Sequence, residues 1–329
     1  MPSSTSCRSC SVHLAGRALA TAVTTLAASL AGGPAPSQTL PAGGGPVFAA
    51  GADLVILSAT AVDGRGQPVT DLEPGELRVY DEGRPQPLEH FTRASDLQAR
   101  LLLLVDASGS MDSDLQTTST QMAAIQLLGA LSPEDRVGLA GFDSDYFALV
   151  QWTNDFDAVR RALTELESFG TTALHDALEK AAEDIAGQGE GQRAIVVLTD
   201  GNDTASGRTP EQVIARSRAL DVPIYAISVL SPLDDPGSPL YTGRERPTRA
   251  TEGAALLGRY AALSGGQAFA ASDFRSLRTA ALEIVRELKN QYRLGYRPPD
   301  EPAGFRRVEI RSTRKGVVVR TRQGYVAAH

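Results

Sequence analysis

Residues 101–105 read Leu-Leu-Leu-Leu-Val and stop at Asp106, after which Ala107-Ser108-Gly109-Ser110 follow. An apolar run of strand length that ends in a carboxylate puts the next residues in a loop at the strand's carboxyl end. Asp106, Ser108 and Ser110 fall at alternate positions of that loop. One carboxylate and two hydroxyls aimed into one small space are hard oxygen donors. They suit Mg²⁺ first, with Mn²⁺ or Ca²⁺ as substitutes. A second apolar run, Ala194–Leu198, leads to Thr199-Asp200-Gly201, again a carboxylate at a strand end. A third loop, Phe169-Gly170-Thr171-Thr172-Ala173-Leu174, puts a threonine at the start of a helical pattern, where free N–H groups and the helix dipole favour negative charge nearby.

These three loops need a scaffold that brings strand ends together. Strand patterns at Leu101–Val105, Val137–Phe142, Ala194–Thr199 and Val222–Val229 alternate with helical stretches near Leu115–Leu131, Phe156–Leu166, Leu174–Ile185 and Glu211–Leu220. Leu174, Leu178, Ala181 and Ile185 share one helical face, as do Phe274, Leu277, Ala281, Ile284 and Leu288 in a last helix. Thr209-Pro210-Glu211-Gln212 carries the signals of a helix start. The fold class is therefore α/β: a doubly wound, mainly parallel sheet over residues 98–291, with a second, smaller β-domain. In such sheets ligands bind beyond the carboxyl ends of the strands, where Asp106 and Asp200 stand. Residues 231–253 interrupt the rhythm with Pro, Gly and charge and read as a long surface loop. Short strands with Gly turns fill 47–97, and alternating segments at Tyr292–Tyr296, Arg306–Arg311 and Val317–Thr321 return after 291. Segment 292–329 is expected to pair with 47–97 into one discontinuous β-domain.

Composition narrows the function. A net charge of -7 and 42% hydrophobic residues describe an acidic globular chain with no basic surface for nucleic acid. Residues 1–17 hold Arg8, Arg17 and no acid, Ala18–Ala31 are small or apolar, and Ser29-Leu30-Ala31 offers a cleavage site. This is a secretory signal pattern over 1–31. Residues 32–46 read as a flexible linker. The expected location is secreted, periplasmic or cell-envelope, with no stable transmembrane segment after signal cleavage. The only cysteines, Cys7 and Cys10, fall within the signal.

The Asp-x-Ser-x-Ser loop at 106–110, the Gly-Thr-Thr loop at 170–172 and the Asp-Gly at 200–201 together resemble the von Willebrand factor A-type domain and its metal-ion-dependent adhesion site. The resemblance implies that Ser108 and Ser110 coordinate the metal directly and that Thr172 does so directly or through water. Asp106 and Asp200 would act mostly through bound water. A sixth position is left for a Glu or Asp carboxylate of a protein partner. Thr171 is the less favoured threonine. The flanks sharpen the likeness: Gly66-Gln67-Pro68-Val69-Thr70-Asp71-Leu72, Val79-Tyr80-Asp81-Glu82-Gly83 and Gln291-Tyr292-Arg293-Leu294-Gly295-Tyr296 are similar to an exported bacterial family called VWFA-related. The implied function is metal-dependent protein binding or adhesion. A metal-independent assembly module of the cell envelope is the alternative, and a hydrolase using Ser108, His175 and Asp200 is third. No Gly-x-Ser-x-Gly elbow surrounds either serine, a lone His in a first helical turn is read as a surface or capping residue, and the expectation is that the chain is not an enzyme.

Overall fold

In this computed structural model, residues 54–327 are described, apart from 94, 96, 110–113, 169, 190, 232, 236–237, 242–247 and 301–302, and apart from the side chains of 114–117. The readings of residues 1–31 and 32–46, and of Ser110, lie outside the described residues. Along the chain come β1 (Val55–Val62), β2 (Leu77–Asp81), β3 (Arg84–Gln86), β4 (His90–Arg93) and β5 (Ala99–Asp106). Next are α1 (Asp114–Ala130), β6 (Arg136–Phe142), β7 (Tyr146–Thr153), α2 (Phe156–Thr164), α3 (Leu174–Ala186) and β8 (Gln192–Thr199). Then follow α4 (Pro210–Leu220), β9 (Ile224–Val229), α5 (Arg249–Ser264), β10 (Ala268–Ala271) and α6 (Phe274–Lys289). The chain finishes with β11 (Tyr292–Tyr296), β12 (Gly304–Ser312), β13 (Val318–Thr321) and β14 (Gly324–Ala327).

The central sheet has six strands in the order β10-β9-β8-β5-β6-β7, all parallel except β7 at one edge. The continuous apolar run of β5 follows from its place: it is flanked by β6 and β8, and helices cover both faces, so alternation has no wet side to serve. Leu101, Leu103 and Val105 join the core beneath α1, α2 and α6, whereas Leu102 and Leu104 join the core beneath α3, α4 and α5. α4 opens with Thr209 accepting the Gln212 N–H, with Pro210 in the first turn, as its sequence requires. α5 begins at Arg249, inside the stretch read as a loop. That helix is rich in Gly and Ala, and Gly253 in its first turns lies against the backbone of Asp200 and Gly201.

The flanking strands form two antiparallel sheets, ordered β13-β1-β11-β4 and β14-β12-β2-β3. Each mixes strands from before and after the α/β part: β1 pairs with β11 and β13, and β2 pairs with β12. Their facing side chains, among them Leu57, Leu72, Val79, Leu294 and Ile310, make a third core. Asp81 is fully buried in it and accepts hydrogen bonds from Tyr296, Tyr325 and Arg306. Glu287 of α6 ties the flank to the sheet by accepting from Thr60, Tyr225 and Arg320. No helix among the described residues is long and apolar enough to cross a membrane.

Candidate metal centre

Period-2 alternation decides where Asp106 points. Leu102 and Leu104 face the α3–α5 side, so Asp106, the next residue in that series, does too. In β8 the same face carries Ile195 and Val197, hence Thr199. The register Val105↔Leu198 sets Asp106 beside Thr199, and the Thr199 hydroxyl donates to the second carboxylate oxygen of Asp106. The first oxygen accepts the backbone N–H of Ser108 at 2.9 Å, a turn that folds the loop back over the strand end. Ser108 is completely buried. Gly109 donates to the Gly170 carbonyl at 3.1 Å, and a methyl group on Gly109 would stand 3.3 Å from that oxygen. The glycine therefore lets the first loop touch the second.

The second loop joins the third in turn. Thr172 is buried, whereas Thr171 is exposed. The N–H of Thr172 donates to the Thr204 hydroxyl at 2.9 Å, and its carbonyl accepts from the N–H of Thr204 and Ala205 at 2.8 and 3.0 Å. Asp200 is buried and accepts the Asn202 N–H. Gly201 takes φ +82°, and its N–H returns to the Thr199 hydroxyl. Its Cα lies so close to Gly253 of α5 that neither position has room for a side chain. Strand β5, the three loops and strand β8 thus close a ring of contacts around Asp106, Ser108, Thr172 and Asp200. Four of the five expected residues are brought to one edge of the sheet, at the carboxyl ends of its strands; the fifth, Ser110, lies outside the described residues.

Burial pushes the Asp106 carboxyl up to about 6, against the pull of its hydrogen bonds from Ser108 and Thr199, and the negative charge of Asp200 adds to the rise. Among the described residues, the influences on it include no cationic side chain. A buried carboxylate that feels a second carboxylate and no positive charge fits a cation. Among the described residues no three His, Cys, Asp or Glu side chains gather to hold a metal. A cation here would rest on mixed donors: Asp106 and Asp200 together with the hydroxyls of Ser108 and Thr172. That donor chemistry fits a hard divalent ion.

The pattern of the von Willebrand factor type A domain family matches residues 101–202, a span that begins at the buried strand of Asp106 and ends just past Asp200. The chain carries a von Willebrand factor type A domain. A UPF0353 protein of Mycolicibacterium vanbaalenii is 25% identical to it over 221 residues, which are 60% of this chain and 63% of that protein. The chain thus spans less than two thirds of the length of the curated relatives it matches. Among solved structures, a von Willebrand factor type A protein from Catenulispora acidiphila is 12% identical with a TM-score of 0.48, covering 85% of this chain and 76% of that one. The conserved hypothetical protein BatB from Bacteroides thetaiotaomicron is 20% identical with a TM-score of 0.46, covering 58% of this chain and 98% of that one.

Around the A domain's loops stand residues outside the three motifs. His175 is buried, not on the surface as its place in the first turn suggested: Nδ1 lies 2.9 Å from the Tyr260 hydroxyl and 3.6 Å from Asp203. Burial, the dominant influence, lowers its pKa below the usual histidine value despite nearby acids. The sequence signal for burial was there: on the helix His175 falls beside Leu178 and Ala182, which are buried with it. Thr199, Thr204 and Ser206 each bond a site loop, and hydroxyls four and six residues past a strand-terminal carboxylate are the pattern that could have revealed the last two.

Proposed function

We propose that this A domain holds a divalent cation, Mg²⁺ by preference, through Asp106, Ser108, Ser110, Thr172 and Asp200, and uses it to capture a Glu or Asp side chain of a protein partner. The observation that carries the reading is the pair of buried carboxylates, Asp106 and Asp200, set in a ring of loops with buried Ser108 and Thr172 and with no cationic side chain among the described residues acting on Asp106. When bound, the ion would supply an electrophilic position for one more oxygen ligand, and hydroxyl donors leave that electrophilicity less quenched than a cage of carboxylates would. The chain's own groups do the rest. Thr199 and the Ser108 N–H fix the Asp106 carboxylate, Gly109 and Gly170 bring two loops within contact, and Thr204 fixes Thr172. The buried His175, its Nδ1 facing Tyr260 and Asp203, supports a binding role over a hydrolase built on Ser108 and His175. The signal pattern read over 1–31 supports a setting for this binding outside the cytoplasm.

Titrating Mg²⁺ and Mn²⁺ calorimetrically into the EDTA-stripped full chain tests the reading. Uptake of one ion per chain is expected, lost in Asp106→Ala and Asp200→Ala. A pull-down from the native envelope should recover a partner in Mg²⁺ and lose it in EDTA. Capture that survives both EDTA and Asp106→Ala would overturn the proposal in favour of a metal-independent assembly role.

A further inference from the structure

α3 starts without a cap of its own. Its N-cap residue is Ala173, which has no side chain to accept the first free N–H groups. The loop after β8 supplies the cap instead. Ser206 Oγ accepts the N–H of His175 at 2.9 Å and of Asp176 at 3.3 Å, and Asp203 Oδ1 accepts the His175 N–H at 3.3 Å. The bonding is reciprocal: the Asp176 carboxylate accepts the N–H of Gly207 and Arg208 at 2.9 and 2.8 Å. Ser206 in turn donates to Asp203, which fixes the direction of both. The same segment grips Thr172 at both of its backbone polar groups, through Thr204 and Ala205. A carboxylate at that helix end also meets the positive end of the dipole.

We infer that Asp203–Ser206 is a positioning clamp that sets the separation between Thr172 and Asp200, and thereby the size of ion the A domain accepts. This inference rests on the proposed cation site. Thr172 and Asp200 belong to different elements, the entry of α3 and the end of β8. The loop that leaves Asp200 reaches α3 within three to six residues and bonds it repeatedly. Mg²⁺ demands near-ideal octahedral geometry at about 2.0–2.1 Å, whereas Ca²⁺ tolerates irregular shells at about 2.3–2.6 Å. A clamp that holds two donors at one spacing therefore favours Mg²⁺, and loosening it costs Mg²⁺ more than Ca²⁺. Thr204, Asp203 and Ser206 act through Thr172 and Asp200, so they are positioning residues.

The test measures Mg²⁺ and Ca²⁺ dissociation constants by calorimetry on the EDTA-stripped full chain, with the metal-free melting temperature alongside. Thr204→Val keeps the shape of the side chain and removes the acceptor for the Thr172 N–H; Ser206→Ala removes the trans cap. Each should weaken Mg²⁺ about 10–100-fold, the usual effect of losing a group that orients a metal ligand. Ca²⁺ should weaken much less, so the Mg²⁺-to-Ca²⁺ affinity ratio falls. Thr204→Ser keeps the hydroxyl and should restore the wild-type ratio. A merely structural role would lower the melting temperature and leave the ratio alone. A ratio unchanged in whichever of the first two variants folds overturns the clamp while leaving the cation site intact. Wild-type protein that takes up neither ion sinks the cation site and the clamp together.

Discussion

Replacing Asp106 by Asn should make the metal-free protein more stable at neutral pH, although it destroys the centre of the site. The Asp106 carboxyl stands at about 6 in the folded chain against an ordinary 3.8, chiefly because of burial. A rise of ~2 units, at about 1.4 kcal/mol each, makes the ionised group cost the fold about 3 kcal/mol. The sign follows from proton uptake. Between about pH 4 and pH 6 the folded chain holds this proton more tightly than the unfolded chain, so stability falls as pH rises through that window and stays low above it. Asn carries no charge, and its carbonyl oxygen can still accept the Ser108 N–H. Unfolding in urea with EDTA present should show Asp106→Asn more stable than wild type by about 1–3 kcal/mol near pH 7, allowing for a weakened Thr199 bond. The difference should close toward about pH 4, where wild type also carries the proton. Mg²⁺ should stabilise wild type and leave the variant unmoved. A variant less stable than wild type at neutral pH, or a difference flat across the window, would refute the view of Asp106 as a strained acid that a cation relieves.

Two glycines of α5 make a matched pair. A methyl on Gly253 would stand 2.5 Å from the Asp200 carbonyl oxygen, whereas one on Gly258 meets nothing within 4 Å. Gly253→Ala should therefore cost about 1–3 kcal/mol in chemical denaturation and weaken cation uptake. Gly258→Ala should stabilise by about 0.5–1 kcal/mol, and equal effects at the two positions would contradict the close approach of α5 to Asp200. Asp81→Ala removes the carboxylate that Tyr296, Tyr325 and Arg306 share in the flank core. A loss of about 3–5 kcal/mol is expected by denaturation, and a loss below about 1 kcal/mol would show that water replaces the carboxylate.

The parallel sheet was legible because its strands are buried on both faces and so read as unbroken apolar runs. Asp106 and Asp200 were legible because each ends such a run abruptly. Three parts escaped for physical reasons. β7 is the antiparallel edge, with irregular register against β6, so Tyr146–Thr153 has no clean alternation. Trp152 and Tyr146 hold it in place by donating to Asp184 of α3, a tertiary contact invisible in one sequence. α5 carries Gly253 and Gly258, which a propensity argument penalises; Gly253 is there because Gly201 and Asp200 need its space. The trans cap of α3 escaped because Ala173 offers no local signal, and the acceptors come from 28 to 31 residues away.

The interleaving of the flanking strands also constrains how the chain is made. β1 has β11 and β13 as its neighbours, and Val55 pairs with Tyr296, so the first strand waits for nearly the whole chain before either edge is covered. During synthesis the A domain between them is complete once α6 emerges, and its β5 and α6 ends then deliver the two halves of the flank together. Until that moment β1 presents two open edges, the exposure that invites mispairing in slow, non-local β structures. A ribosome that stalls after α6 would release a formed A domain still trailing an uncovered strand.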